Sequence, residues 1–174
     1  IAMSGPGVSF KEMHLTAAKV IARGLTALGL MRGDPEEAVA AGAHALFFPH
    51  GLGHMIGMDV HDMEDLGDIV GYGPDLSRDT QFGLAFLRMA RPLEPGHVFT
   101  VEPGIYFIPA LIDKWRQDGT NASFINFDEV ASYIGTGGIR IEDDILVTAA
   151  GHRVLAEKTI PKTVAEIESL FASF

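Results

Sequence analysis

The chain contains no cysteine. That excludes a disulfide framework, a thiolate metal site and a cysteine nucleophile. It fits a reducing compartment, and a cytoplasmic location is expected. Positive charge is also scarce: 13 Lys and Arg stand against 23 Asp and Glu, a net charge of −10 with histidine neutral. This balance weighs against bulk electrostatic binding to nucleic acid or to an anionic membrane. No apolar run reaches the ~20 residues of a membrane span. The first residues lack the basic-then-apolar plan of a signal peptide. What remains is a globular balance, 47% hydrophobic and 21% charged, in a chain of 174 residues that is long enough to bury a core. The opening Ile1-Ala2-Met3 reads as the tail of a helix already under way, so a fragment or a processed chain is expected.

Local patterns divide the chain. Pro6-Gly7 is a turn signal. Ser9, with Glu12 three residues later, has the form of a capping box and opens a helix predicted over Phe10 to Leu30. Its apolar positions recur at helical spacing: Met13, Ala17, Val20, Ile21, Leu25 and Leu28. Asp34-Pro35 opens a second helix that is expected to end near Ala45. Neither helix presents a ligand-bearing face, and His14 and His44 read as ordinary, partly exposed histidines. Residues 62–96 read as an acidic surface loop and then a short amphipathic stretch from Leu84 to Met89. Val98 to Val101 and Ile105 to Ile108 are expected strands around a turn. Leu111 to Ser132 reads as a polar, irregular insertion with helix near Asp113-Lys114-Trp115. One strand is predicted over Ile139 to Val147, a last strand reaches Leu155, and Pro161 to Leu170 is a closing helix capped by Thr163 and Glu166.

Three separated segments carry imidazole and carboxylate. They are His50-Gly-Leu-Gly-His54 running to His61-Asp62, then Thr100-Val-Glu102-Pro-Gly104, then Gly138-Ile-Arg140-Ile-Glu142-Asp-Asp144. This donor set suits divalent metals that activate water. The four-residue spacing of His50 and His54 imitates a helical zinc site. Gly51, Gly53 and Gly57 rule that out, because each costs a helix about 1 kcal/mol, and no Glu stands at position 51. Extended backbone is the better reading, with glycines letting neighbouring backbone approach closely. In the strand after Gly138, period-two alternation puts Arg140, Glu142 and Asp144 on one face. Taken singly, Glu102 is a turn residue, Glu142 a solvated strand residue and His54 a core histidine. Jointly they point to one cleft in an antiparallel sheet. Histidines not used as ligands can donate to a developing oxyanion.

These residues resemble the metallopeptidase family with the pita-bread fold, and most of all its proline-specific members, the Xaa-Pro dipeptidases and Xaa-Pro aminopeptidases. The likeness rests on Phe48-Pro-His50-Gly-Leu-Gly-His54 through Val60-His61-Asp62, on Leu93-Glu-Pro-Gly96 through Thr100-Val-Glu102-Pro-Gly-Ile-Tyr106, on Gly138 to Asp144, and on the ending Ile160 to Glu168. It implies an α+β fold, the curved antiparallel sheet with flanking helices of the pita-bread type. Two divalent metal ions are implied, manganese first, while cobalt, zinc or iron also suit such a site. By position the metal ligands are His54, Glu102 and Glu142. His50 and His61 match histidines that assist the substrate and the tetrahedral intermediate, and Glu102 matches a group that also moves the proton to the leaving nitrogen. Arg140 matches an arginine beside the metal-bridging carboxylate, and Arg88 one that holds the free carboxylate of a dipeptide. Both are taken as substrate-binding.

The family uses two further Asp ligands on strands that precede the first helix. Asp68 and Asp79 imitate their spacing but follow His61 in a turn-rich loop, and are rejected. Residues 1–174 are therefore expected to be the C-terminal part of a catalytic domain, inactive alone, without its N-terminal domain and first strands. The implied activity is hydrolysis of the bond preceding proline in dipeptides. The alternatives are an Xaa-Pro aminopeptidase acting on longer peptides and a non-catalytic pita-bread binding module. A homodimer is expected for the full-length enzyme.

Overall fold

The computed structural model describes residues 1–158 and 160–173. Helices α1 (Phe10–Ala27) and α2 (Pro35–Ala40) lead into a single 3₁₀ turn at Ala43–Leu46 and an extended stretch through His54. A turn-rich excursion carrying α3 (Asp68–Tyr72) follows. Then come β1 (Val98–Val101), β2 (Gly104–Tyr106), α4 (Pro109–Asp118), α5 (Phe127–Ala131), β3 (Gly138–Arg140), β4 (Asp143–Thr148), β5 (Gly151–Val154) and α6 (Val164–Phe171). Strands β1, β4 and β5 form one sheet with β4 central; β2 and β3 form another, and every pairing is antiparallel. This is the α+β class expected.

Helix α1 starts where the cap signal placed it, with the Ser9 hydroxyl accepting from the Glu12 amide at 3.4 Å. It stops at Ala27, short of the expected Leu30, and Gly29 follows at φ 76°. The buried stripe is Phe10, Met13, His14, Ala18, Ala22 and Leu25, the i, i+3, i+4 spacing of a core-facing helix. Val20 and Leu28 point outward instead. Phe10 meets Phe99 of β1 edge-on at 5.3 Å, which joins the helix to the sheet. Helix α6 has the expected capping box: the Thr163 hydroxyl accepts from the Glu166 amide, and Glu166 accepts from the Thr163 amide.

Several expectations are corrected. Ile1 to Met3 form a turn closed by the Ser4 amide on the Ile1 carbonyl (2.7 Å), not the end of a helix. The segment 111–132 has the expected helix at Asp113-Lys114-Trp115, but it is more regular than expected. It holds most of α4 and all of α5, and buries Ile112, Trp115, Ile125 and Val130. Only these four of its apolar residues are buried, and they are spaced too widely among polar ones to read as a core stripe.

His14 and His44 are not partly exposed; both are fully buried. His14 lies on the inward stripe of α1, and His44 sits within the wholly buried run Ala43 to Phe48. Their rings are 6.0 Å apart, and His14 stacks on Phe48 at 5.1 Å. Among the described residues, none of the four ring nitrogens has a hydrogen-bond partner. Burial, and then the nearby His44, His50 and Lys11, pushes His14 down to about 3. Burial pushes His44 down to about 4. Both imidazoles are therefore neutral in the folded protein near pH 7.

The consequence is acid sensitivity. Above pH ~6.5 neither folded nor unfolded chain protonates these rings. Below that the unfolded chain takes up protons that the folded chain refuses, so stability falls with pH. The loss is about 1.4 kcal/mol per pH unit for each histidine until the folded values of about 4 and 3 are reached. Urea midpoints measured from pH 7 to 4.5 should fall steeply in the wild type and distinctly less in a His14→Leu/His44→Leu variant. Parallel curves for the two proteins would show that the pair does not set the acid limb.

Candidate active site

Two breaks in the sheets define the site. The expected single strand from Ile139 to Val147 is interrupted at Ile141-Glu142, and β1 and β2 are interrupted at Glu102-Pro103. Pro103 has no amide hydrogen to give to a ladder. The register nevertheless runs straight through. Val101 pairs with Asp143 and Gly104 with Arg140, which sets Glu102 opposite Glu142 and Pro103 opposite Ile141. Residues directly opposite in an antiparallel pair share a face, their Cβ atoms about 5 Å apart. Two carboxylates so placed repel. Here Arg140 stands with both, Nη1 at 3.5 Å from Glu102 Oε2 and Nη2 at 3.3 Å from Glu142 Oε2.

His54 arrives on the other side of β1. The stretch 52–56 runs antiparallel to that strand, with the Glu102 amide on the Leu52 carbonyl (2.7 Å), the Thr100 amide on the His54 carbonyl (2.9 Å) and the Ile56 amide on the Val98 carbonyl (2.9 Å). Extended backbone, not helix, thus carries the histidines. Gly53 is needed for this approach, since a Cβ there would lie 2.0 Å from the Thr100 carbonyl oxygen. His54 and Glu102 are diagonal neighbours, both buried, with Nε2 and Oε1 3.3 Å apart. The Met55 carbonyl can only accept, so it fixes the His54 proton on Nδ1 (3.0 Å). In the neutral ring, Nε2 therefore turns a lone pair toward a carboxylate oxygen. Both atoms could serve a divalent cation as donors, and a carbonyl behind the second nitrogen is the usual support of a ligating imidazole. The Thr100 hydroxyl holds the arrangement, accepting from the His54 amide (3.0 Å) and donating to Glu102 Oε1 (2.9 Å).

The other expected residues line the same cleft, a cavity of about 630 Å³ bordered by His50, His54, His61, Arg88, Glu102 and Arg140 together with Glu64 and Arg78. His61 packs perpendicular to His54, ring centres 4.3 Å apart. His50 donates from Nδ1 to the Gly51 carbonyl (2.7 Å) and accepts from the Tyr106 hydroxyl at Nε2 (3.1 Å). Glu142 is more exposed than Glu102 and meets the cleft through Arg140. Its neighbour Asp143 is buried and paired with Lys162 at 2.5 Å, tying the start of β4 to the segment before α6. Asp144, expected on the same face, is exposed in β4 opposite Thr100. Asp68 pairs with Arg78, and Asp79 with Lys11, so neither faces the His54–Glu102 pair.

Thr100, Tyr106, Arg78 and Glu64 did not come from sequence reasoning. The first two could have, because they stand in the Thr100-to-Tyr106 run itself. Nothing local marks the other two.

Residues 1–149 match the model of metallopeptidase family M24. The chain belongs to this family. It is 42% identical over 167 residues to the Xaa-Pro dipeptidase of Homo sapiens, covering 96% of this chain and 32% of that protein. It is equally 42% identical over 171 residues to a probable Xaa-Pro aminopeptidase of Botryotinia fuckeliana, covering 98% and 35%. Among solved structures it resembles proline aminopeptidase P II from Yersinia pestis, with a TM-score of 0.70, 36% identity and coverage of 99% of this chain and 31% of that one. A zinc-substituted Escherichia coli aminopeptidase P in complex with product is also similar, with a TM-score of 0.66, 34% identity and coverage of 98% and 30%. The fold is thus the pita-bread fold expected, and the chain spans about a third of the length of these relatives.

Family membership implies divalent metal ions. The residues present fit in kind: a neutral imidazole and a carboxylate converge, with a second carboxylate across the ladder. Among the described residues, however, no three His, Asp or Glu side chains already surround one point. Ligand number governs affinity steeply. The chain expressed alone should therefore hold metal weakly. After manganese loading and dialysis, elemental analysis should find far fewer than about two ions per chain, and a stable pair would mean that further ligands lie within these residues.

Proposed function

We propose that this chain is the C-terminal part of the catalytic domain of a metal-dependent peptidase that cleaves the bond preceding proline, acting on Xaa-Pro dipeptides. The observation that carries the reading is the register that runs on from the β1–β4 pairs to the β2–β3 pairs, which sets Glu102 and Glu142 face to face beside His54. In this reading those three side chains hold divalent metal, two ions being completed by Asp ligands from outside the chain. Manganese is our first choice of ion; the family relation leaves cobalt, zinc and iron as alternatives. When bound, the metal lowers the pKa of water so that a nucleophile exists at neutral pH.

The chain's own residues do the rest. In this reading Glu102 also passes a proton from the attacking water to the leaving nitrogen. His61 donates to the oxygen that gains charge, and His50 joins it once its ring turns off the Gly51 carbonyl, which holds the Nδ1 proton in the resting arrangement. Arg140 keeps the two carboxylates from repelling and orients Glu142. The proline nitrogen carries no hydrogen, so selectivity must come from ring shape and carbonyl placement. Pro49, Ala85 and Phe86 give the cleft apolar wall for that ring. Arg88 can hold the free carboxylate that follows proline in a dipeptide, a natural task for a planar guanidinium.

A second reading has its own support. The fungal aminopeptidase is as similar as the human dipeptidase, and the solved neighbours named above are aminopeptidases. In that case the peptide continues past proline and Arg88 plays no selective part. We do not favour a non-catalytic module, which has no chemical need for the whole set. A cytoplasmic location and a homodimer of the full-length enzyme complete the proposal; the absence of cysteine supports the first.

Two measurements test it in the full-length protein. His54→Ala, Glu102→Ala and Glu142→Ala should each abolish turnover while leaving the circular dichroism unchanged; near-normal activity with added manganese would remove that residue from the ligand set. Arg88→Ala should reduce kcat/KM on Xaa-Pro dipeptides about tenfold to a hundredfold, the worth of a charge-assisted hydrogen bond. C-terminally amidated or longer substrates should change little. An equal fall on both substrate classes would favour the aminopeptidase reading.

A further inference from the structure

The Arg88 guanidinium already has an anionic partner. Its Nη1 donates to Glu64 Oε2, and Glu64 lines the same cleft. The other Glu64 oxygen, Oε1, is buried and has no hydrogen-bond partner among the described residues. Glu64 opens a 3₁₀ turn, Glu64–Leu66, between Met63 at φ 58° and Gly67 at φ 92°. Left-handed backbone at a non-glycine residue such as Met63 is uncommon and costly, and such outliers mark sites of function often enough to prompt the question.

The neighbouring arginine is differently placed. Arg78 is bidentate to Asp68, with Nε 3.0 Å from each oxygen and Nη2 2.8 Å from Oδ1, while its Nη1 donates to the Ala85 and Leu87 carbonyls at 3.2 and 2.7 Å. The Tyr72 hydroxyl also donates to the Leu87 carbonyl at 2.8 Å. The backbone just before Arg88 is thereby pinned, and the Arg78 charge is spent on Asp68. Arg88 therefore faces the cleft on a fixed backbone with a single carboxylate opposite it, half of whose acceptor capacity is unused.

We propose that Glu64 is a specificity-determining residue, an internal carboxylate that occupies Arg88 in place of the substrate's C-terminal carboxylate and must be displaced before a dipeptide binds. The inference rests on the assignment of Arg88 to that carboxylate. A second carboxylate brought to Arg88 meets both the occupied donor and the negative charge of Glu64. A peptide that continues beyond proline, or ends in an amide, leaves the Glu64–Arg88 pair intact. Glu64 thus biases the cleft against free dipeptides and toward longer substrates. Outward rotation of Glu64 also frees its buried Oε1 to reach water, which lowers the cost of opening.

The test is Glu64→Gln, which keeps shape and removes charge, with Glu64→Ala as a second variant, both in the full-length protein. Each should lower KM for an Xaa-Pro dipeptide about tenfold, the low end of a charge-assisted contact, with kcat little changed and the amidated substrate unaffected. Calorimetry on metal-free protein gives a readout independent of turnover: N-acetylproline should bind about tenfold tighter to the variant, and N-acetylproline amide no differently. On an Arg88→Ala background the Glu64 substitution should do nothing. If Arg88→Ala is selective for dipeptides but the Glu64 variants change neither ligand, or change acid and amide alike, this inference fails and the Arg88 assignment stands. If Arg88→Ala lowers both substrates equally, the Arg88 assignment itself fails.

Discussion

Two carboxylates facing each other across an antiparallel ladder are the constraint around which this molecule is arranged. Strand pairing leaves Glu102 and Glu142 no freedom to separate, because the pairs on both sides of them are in register. Such a juxtaposition is unfavourable unless positive charge stands between or beside the pair. Arg140 supplies it from the strand itself. The same geometry explains why the sheets break there: Pro103 interrupts one strand and Ile141-Glu142 the other, so the carboxylates occupy a joint and not a continuous ladder. The joint thus has acidic side chains on one face, a buried imidazole beside it and a cleft in front, a donor set whose chemistry suits a divalent cation.

The surrounding fold serves to hold that joint still. Helix α1 presses Phe10 onto Phe99 of β1, the strand that carries Thr100 and leads into Glu102. Gly53 lets the histidine segment lie against the Thr100 backbone closely enough for His54 to reach Glu102. Behind this, His14 and His44 fill the core as neutral rings, a use of histidine that ties the interior to pH. On the opposite rim, Asp68, Arg78 and Tyr72 brace the backbone that presents Arg88. The side of the cleft that carries His54 and Glu102 and the side that carries Arg88 thus stand on separate supports.

Much of this was legible in the chain. Ser9, Asp34-Pro35 and Thr163-Glu166 marked helix starts that the structure reproduces, because caps are local contacts within a few residues. The glycines around His50 and His54 ruled out a helix for the same local reason. The three short segments were recognisable as one site because their residue types and order are those of a metallopeptidase, and all of them line the one cleft or its edge. Burial of His14 and His44 was not legible, since an imidazole reads as polar whatever surrounds it. Of the helices in 109–131, the core of α4 was legible at Asp113 to Trp115, but its full length and all of α5 were not, because few of their apolar residues fall at clear helical spacing.

The sequence by itself determined the family, the elements with strong end signals and the identity of the polar residues that meet in the cleft. Each of those is written in contacts over a few positions or in a pattern specific enough to stand alone. Tertiary structure alone decided the face-to-face register of Glu102 and Glu142, the diagonal approach of His54, and the pairing of Arg88 with Glu64. Those depend on which backbone lies beside which across separations of 24 to 48 residues, and strand pairing and loop packing at that range leave no local trace in the chain.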